Sequence, residues 1–165
     1  ALNASVEAQS DWTQMHHICY WELMFANACA GKWDKAGEYS TLLFKESKWS
    51  KCNFKYMEAS FKYMELTEGG REITEKEKAD LLKQYNEVAE FKQRIAGKSI
   101  PSEKFVIRKA RKFSLQNGYL MLPGLEIMIH WNILQYMDNY YLQSTLNLVL
   151  KSIATMQKLY EQTAA

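Results

Sequence analysis

Only two prolines and seven glycines occur in 165 residues. So few breakers leave little room for a turn-rich all-β fold, whose tight turns and bulges draw on these residues. Cysteines number three, Cys19, Cys29 and Cys52. An odd count without framework spacing argues against a disulfide scaffold and for reduced thiols, as in the cytosol or nucleus. Charge of one sign is also in short supply. The formal net charge is +2, too small by itself to signal a polyanionic partner. No basic-then-apolar leader opens the sequence. The most apolar run, "YLMLPGLEIMIHWNIL" at 119–134, is interrupted by Pro123, Glu126, His130 and Asn132. It also falls short of the ~20 residues of a membrane span and reads as a buried helix.

What is present points one way. The chain is 47% hydrophobic and 13% aromatic, which excludes a disordered chain. Its length suits one domain with a real core. Lys, Glu, Leu, Met and Ala abound, and all favour helix. The apolar spacing predicts helices over Asp11–Ala30 (with Ser10 or Asp11 as N-cap), Trp33–Lys45 and Ser50–Leu66. A Thr74–Glu77 capping box opens a fourth, which runs to Ile95. After a loop at 96–102, helices follow over Glu103–Gln116, from Pro123, and over Tyr140–Gln162. No regular alternation is visible, so no sheet is expected.

The pentad "FKYME" occurs at 54–58 and again at 61–65. A coiled coil needs more heptads than these two, and Gly69-Gly70 ends the run. A period of 34, that of the tetratricopeptide repeat, accounts for more. It aligns Tyr20 with Phe54, Leu23 with Met57 and Asn27 with Phe61. Gly31 then falls at the turn, and Ala36 is the small residue where two helices approach. The register departs from the repeat consensus at Met24, Glu58, Asn27 and Lys48, and the second unit carries an insertion at 68–76. The expected fold is an all-α, tetratricopeptide-like helical-hairpin solenoid of about seven antiparallel helices in one domain, 1–165.

Several strings go beyond generic repeat patterning: "HHICYWEL" (16–23), "ESKWSK" (46–51), "IAGKSIPSEKFVIRKARKF" (95–113) and "LPGLEIMIHWN" (122–132). In order over residues 5–132, the chain resembles the tetratricopeptide repeat protein 39 family, which includes fungal inclusion-body-clearance relatives. The resemblance implies a helical adaptor with no catalytic activity, linked to lipid handling and protein turnover. It suits a location in the cytoplasm or nucleus, or at the surface of lipid droplets or mitochondria, and not secretion. Members of that family are longer. The chain therefore reads either as a short relative or as a middle segment, and an excised segment should expose apolar surface at its ends.

In such repeats the first helix of each hairpin lines a concave groove. The register puts Trp21, Phe25 and Ala28 there from one unit and Lys55, Ala59 and Lys62 from the next. Phe25→Glu or Lys62→Glu should then weaken partner capture without unfolding. The competing reading makes Trp21 and Phe25 core. The chaperone-type clamp for a C-terminal carboxylate is not expected, because Trp21 and Phe25 stand where it uses Lys and Asn. Lys104, Arg108, Arg111 and Lys112 share one helix face. It reads as a solvated face, or as a dock for acidic peptide or anionic lipid headgroups. Nucleic acid is not expected, because no aromatic platform interleaves with these charges.

Chemistry-bearing motifs are sparse. "AGKS" (96–99) lacks the earlier glycine of a phosphate loop, since Lys92 stands there. His16, His17 and Cys19 lack zinc spacing, so no metal is expected. Cys19 in mid-helix is a poor place for a thiolate nucleophile. Neither enzyme activity nor a cofactor is expected. The two function classes are a protein–protein adaptor presenting a groove to a peptide or helix, and a helical domain holding lipid or sterol in a closed apolar cavity lined by 119–150.

Overall fold

The computed structural model describes residues 1–8 and 11–164. They form α1 (Leu2–Ala8), α2 (Thr13–Cys29), α3 (Trp33–Glu46), α4 (Lys51–Leu66) and α5 (Glu75–Glu87). A short antiparallel ribbon follows, β1 (Arg94–Ile95) with β2 (Lys98–Ser99), then α6 (Pro101–Leu115), α7 (Pro123–His130) and α8 (Asn139–Ala164). The fold class is the expected one, an all-α stack of helical hairpins. Ser10, one of the two residues expected to cap α2, lies outside the described residues.

α4 is the centre of the stack. Ten of its sixteen residues are buried, because α3, α5, α6 and α7 all pack against it. Small residues set the α3–α4 contact. Ala36 and Ser40 are fully buried, and Gly37 lies close to Phe61. The Ser40 hydroxyl donates to the Phe54 carbonyl at 3.0 Å. Gly31 turns α2 into α3 at φ 67°, a conformation that favours glycine. The α2–α3 and α4–α5 hairpins are therefore the two units expected from the 34-residue register. Phe54, Met57 and Phe61 all point into the core.

Two expectations fail between residues 88 and 99. The fourth helix does not reach Ile95. It ends at Glu87 and tightens into a 3-10 turn over Val88–Phe91. That turn buries Val88 and sets Phe91 edge-on to Phe44, with ring centroids 4.9 Å apart. Where no sheet is expected, a ribbon takes Arg94 and Ile95 from the expected helix and Lys98 and Ser99 from the expected loop, pairing Arg94 with Ser99 and Ile95 with Lys98. Its turn residues Ala96 and Gly97 both have positive φ, 49° and 77°. That is the two-residue hairpin whose twist matches paired strands. Strands of two residues are too short to show alternation in a sequence.

The Thr74 capping box is formed. Glu77 N–H donates to the Thr74 hydroxyl at 3.3 Å, and Thr74 N–H donates to the Glu77 carboxylate at 2.9 Å. Arg71 forks onto the same carboxylate. The Arg71 bond first, and then the Thr74 N–H and hydroxyl, hold the Glu77 carboxyl down at about 2 against an ordinary 4.5. A lowered pKa in the folded chain stabilises it above the ordinary value, and this contribution fades as pH falls towards about 2. The first turn of α5 should therefore fray between those limits while the buried α4 persists. Amide hydrogen exchange of Glu77 and Lys78 against pH checks this, and exchange unchanged by acid would contradict it.

Both ends of the stack carry exposed apolar side chains. Trp12, Met15 and Ile18 are exposed at the start of α2. On α8, Leu142, Leu146, Val149, Ile153, Met156 and Tyr160 recur at alternating steps of four and three. Four of these six (Leu146, Ile153, Met156 and Tyr160) are exposed, with Leu142 and Val149 half-buried against the core.

Candidate partner-docking site

Three tryptophans from separate elements converge on one open cleft. Trp21 comes from the middle of α2, Trp49 from the α3–α4 connection, and Trp131 from the residue that ends α7. The Trp49 N–H donates to the Ser47 hydroxyl at 3.1 Å, which fixes the connection locally. After Trp131 the backbone turns through Asn132 at φ 56°, and Ile133 N–H bonds the Met128 carbonyl at 2.7 Å. Trp21 meets Trp131 edge-to-face at a centroid distance of 5.0 Å and 86°. It meets Trp49 at 6.0 Å and 84°. Trp49 and Trp131 lie 6.2 Å apart. Edge-to-face contact is the favoured geometry for such rings. It makes the cluster a rigid apolar wall.

The cleft has a volume of about 400 Å³ and is completed by His17, Ile18, Leu43, Ser47 and Phe54. Ile18 is 59% exposed and Trp49 is 47% exposed, so the wall is open to a partner. At its edge the His17 imidazole lies 3.7 Å from the Glu46 carboxylate.

The six residues expected to line one groove do not share a wall, and Ala28 among them is fully buried. Trp21 is in the tryptophan cleft. Phe25 is buried behind it, 5.0 Å from the Trp21 ring. Ala59 is fully buried under α4's neighbours. Lys55 is held 3.0 Å from Glu87 and 3.4 Å from Glu58, with its ammonium over the Phe44 ring. Lys62 lies in a separate cleft with Asp34, Glu38, Glu58 and Glu65, and pairs with Glu65 at 3.0 Å. α5, α6 and α7 cover much of the α4 surface that an open groove would have left to solvent. Trp49 and Trp131 were missed because they sit between helices, where periodicity gives no signal.

Lys104, Arg108 and Arg111 do come together, and Lys92 joins them around an open cleft of about 410 Å³. Lys112 is exposed on the adjoining face. The space bordered by the 119–150 region is not a closed apolar cavity. It is a cleft of about 380 Å³ whose wall includes Glu68, Asn147, Thr145 and Lys151 beside Leu122, Met137 and Tyr141.

Two of the three thiols are shifted away from the reactive thiolate. Burial first, and then the nearby Glu103, push Cys52 up to about 12, and burial raises Cys29. Among the described residues no group of three His, Cys, Asp or Glu is placed to hold a metal ion. Nor is any helix among them long and apolar enough to cross a membrane.

Comparison with known proteins places the chain in a family. The family described as Iml2/Tetratricopeptide repeat protein 39 matches residues 1–164. "Tetratricopeptide repeat protein ttc-39B" of Caenorhabditis elegans is 40% identical over 131 residues, covering 79% of this chain. That stretch is 22% of the relative, so the chain spans about a fifth of its length. No solved structure matches.

Proposed function

Because the chain belongs to the Iml2/Tetratricopeptide repeat protein 39 family, we propose that it is a non-catalytic docking module whose tryptophan cleft seats an apolar side chain of a partner peptide or helix. One observation carries this reading. Three indole rings from three elements are held edge-to-face around an open apolar cleft. A solvent-facing tryptophan cluster needs a reason, because large rings normally gain by full burial. Rigid aromatic anchors in a pocket are what binding hot spots are made of. Roles in lipid handling or protein turnover would then belong to the partner that the cleft recruits, in a cytoplasmic or nuclear setting.

Trp49→Ala tests this. Trp49 lies on the rim, so its loss should leave the thermal midpoint within a few degrees of the parent chain. A displayed-peptide selection on the parent chain should yield amphipathic sequences with a recurrent aromatic or aliphatic anchor. Trp49→Ala should bind them at least about tenfold more weakly, the effect of a modest hot spot. Selected peptides that bind Trp49→Ala as tightly as the parent chain would sink the proposal.

A further inference from the structure

A second surface, independent of the tryptophan cleft, concentrates the charge that the whole-chain balance hides. Residues 92–112 hold eight cations and one carboxylate, Glu103. The rest of the chain is therefore net negative, and the molecule is strongly polarised. Glu103 neutralises none of this face, because it is fully buried and accepts from the Ser50 hydroxyl and the Gln93 N–H. Among the described residues only Lys109 of the eight cations forms an ion pair, with Glu126. Lys92, Lys104, Arg108 and Arg111 line one open cleft without a carboxylate opposite them.

Apolar side chains stand at both ends of this row. The ribbon leaves and rejoins the cleft rim between Lys92 and Pro101, and Ile95 at its turn is 67% exposed between Arg94 and Lys98. Lys104, Arg108, Arg111 and Leu115 follow one stripe of α6, and Leu115 is 83% exposed. From Lys104 to Leu115 the helix rises about 16 Å. Two exposed aliphatic residues so far apart, with cations between them, do not fit one pocket of a peptide. They do fit a flat partner that offers negative charge at its surface and apolar depth beneath. We infer that the ribbon tip and the basic face of α6 dock the chain peripherally on a bilayer bearing anionic headgroups. The cations meet the headgroups, while Ile95 and Leu115 enter the interface. The polarised charge turns this face towards the membrane before contact.

Sedimentation of the 165-residue chain with phosphatidylcholine vesicles, with and without phosphatidylserine, tests the inference. Binding is expected only with phosphatidylserine, and should weaken as salt rises. Arg108→Glu with Arg111→Glu should reduce it at least about tenfold. Both substituted positions are solvent-exposed, so the fold should persist, and circular dichroism checks this. If that variant unfolds, Lys104→Gln with Lys112→Gln replaces it, with a smaller loss expected. Ile95→Ser with Leu115→Ser should remove the fraction of binding that survives at high salt. Three results overturn the inference: no binding of the parent chain to phosphatidylserine vesicles at low salt, undiminished binding by the charge variants, or undiminished binding by the serine variant. If polyglutamate is then bound and the serine variant binds it unchanged, the face is an acidic-peptide dock.

Discussion

Phe25→Glu is expected to unfold the chain at neutral pH, whereas Trp49→Ala is not. The two residues belong to one aromatic cluster but differ in exposure. Phe25 is 3% exposed and packs edge-to-face on Trp21, while Trp49 keeps 47% of its surface in water. Removing a buried Phe side chain alone costs about 3–5 kcal/mol. The substitution also puts a carboxylate into the hydrophobic core to which Phe25 belongs, at a further cost of several kcal/mol. A domain of this size is stable by roughly 5–15 kcal/mol, so the sum consumes most or all of it. The introduced carboxyl would take up a proton more readily folded than unfolded, because burial penalises its charge. Its penalty should therefore shrink as pH falls towards the ordinary glutamate range. Urea midpoints of Phe25→Glu and Phe25→Leu at two pH values check this. The leucine variant should lose less than about 2 kcal/mol. A glutamate variant with the parent midpoint at neutral pH would mean that Phe25 faces solvent.

That reversal shows where the sequence was legible and where it was not. Helix existence could be read almost throughout, because apolar residues three and four apart leave a trace that survives without tertiary context. The Thr74–Glu77 box could be read for the same reason, since its partners are three residues apart. Burial was harder. On α4 the register correctly made Phe54, Met57 and Phe61 packing residues, but it left Ala59 and Lys55 facing a groove. The helices that cover them, α5 to α7, arrive from later in the chain. The ribbon hid in four paired residues. The tryptophan cleft hid because Trp49 and Trp131 lie in connections, which carry no periodic signal. The heptad question also has a local answer. The echo at 54–65 is a helix packed on several sides, whereas a sustained four–three spacing occurs on α8, where most of the stripe is exposed.

The second large effect should come from Glu103, a residue that periodicity would class as a solvated charge. It is fully buried at the third position of α6, behind Pro101. There the unpaired amides of the helix start favour a carboxylate. One oxygen accepts from the Ser50 hydroxyl and the other from the Gln93 N–H, each at 2.8 Å. Ser50 stands at the start of α4 with φ 26°, and Gln93 leads into the ribbon. A single side chain thus ties the α3–α4 junction and the ribbon to α6. Glu103→Ala leaves the buried Ser50 hydroxyl and the part-buried Gln93 N–H without their acceptor and should cost about 3–5 kcal/mol. Glu103→Gln keeps one accepting oxygen and should cost less than half of that. The loss should also be local at first. Cys52, fully buried and with its thiol pushed up to about 12, lies close enough to feel the Glu103 charge. Reaction of Cys52 with a thiol reagent below the unfolding midpoint should therefore accelerate in Glu103→Ala, alongside faster exchange of the Gln93 amide. If stability and Cys52 labelling both match the parent chain, Glu103 does not hold these segments together. The ribbon that presents Ile95 would then be anchored some other way.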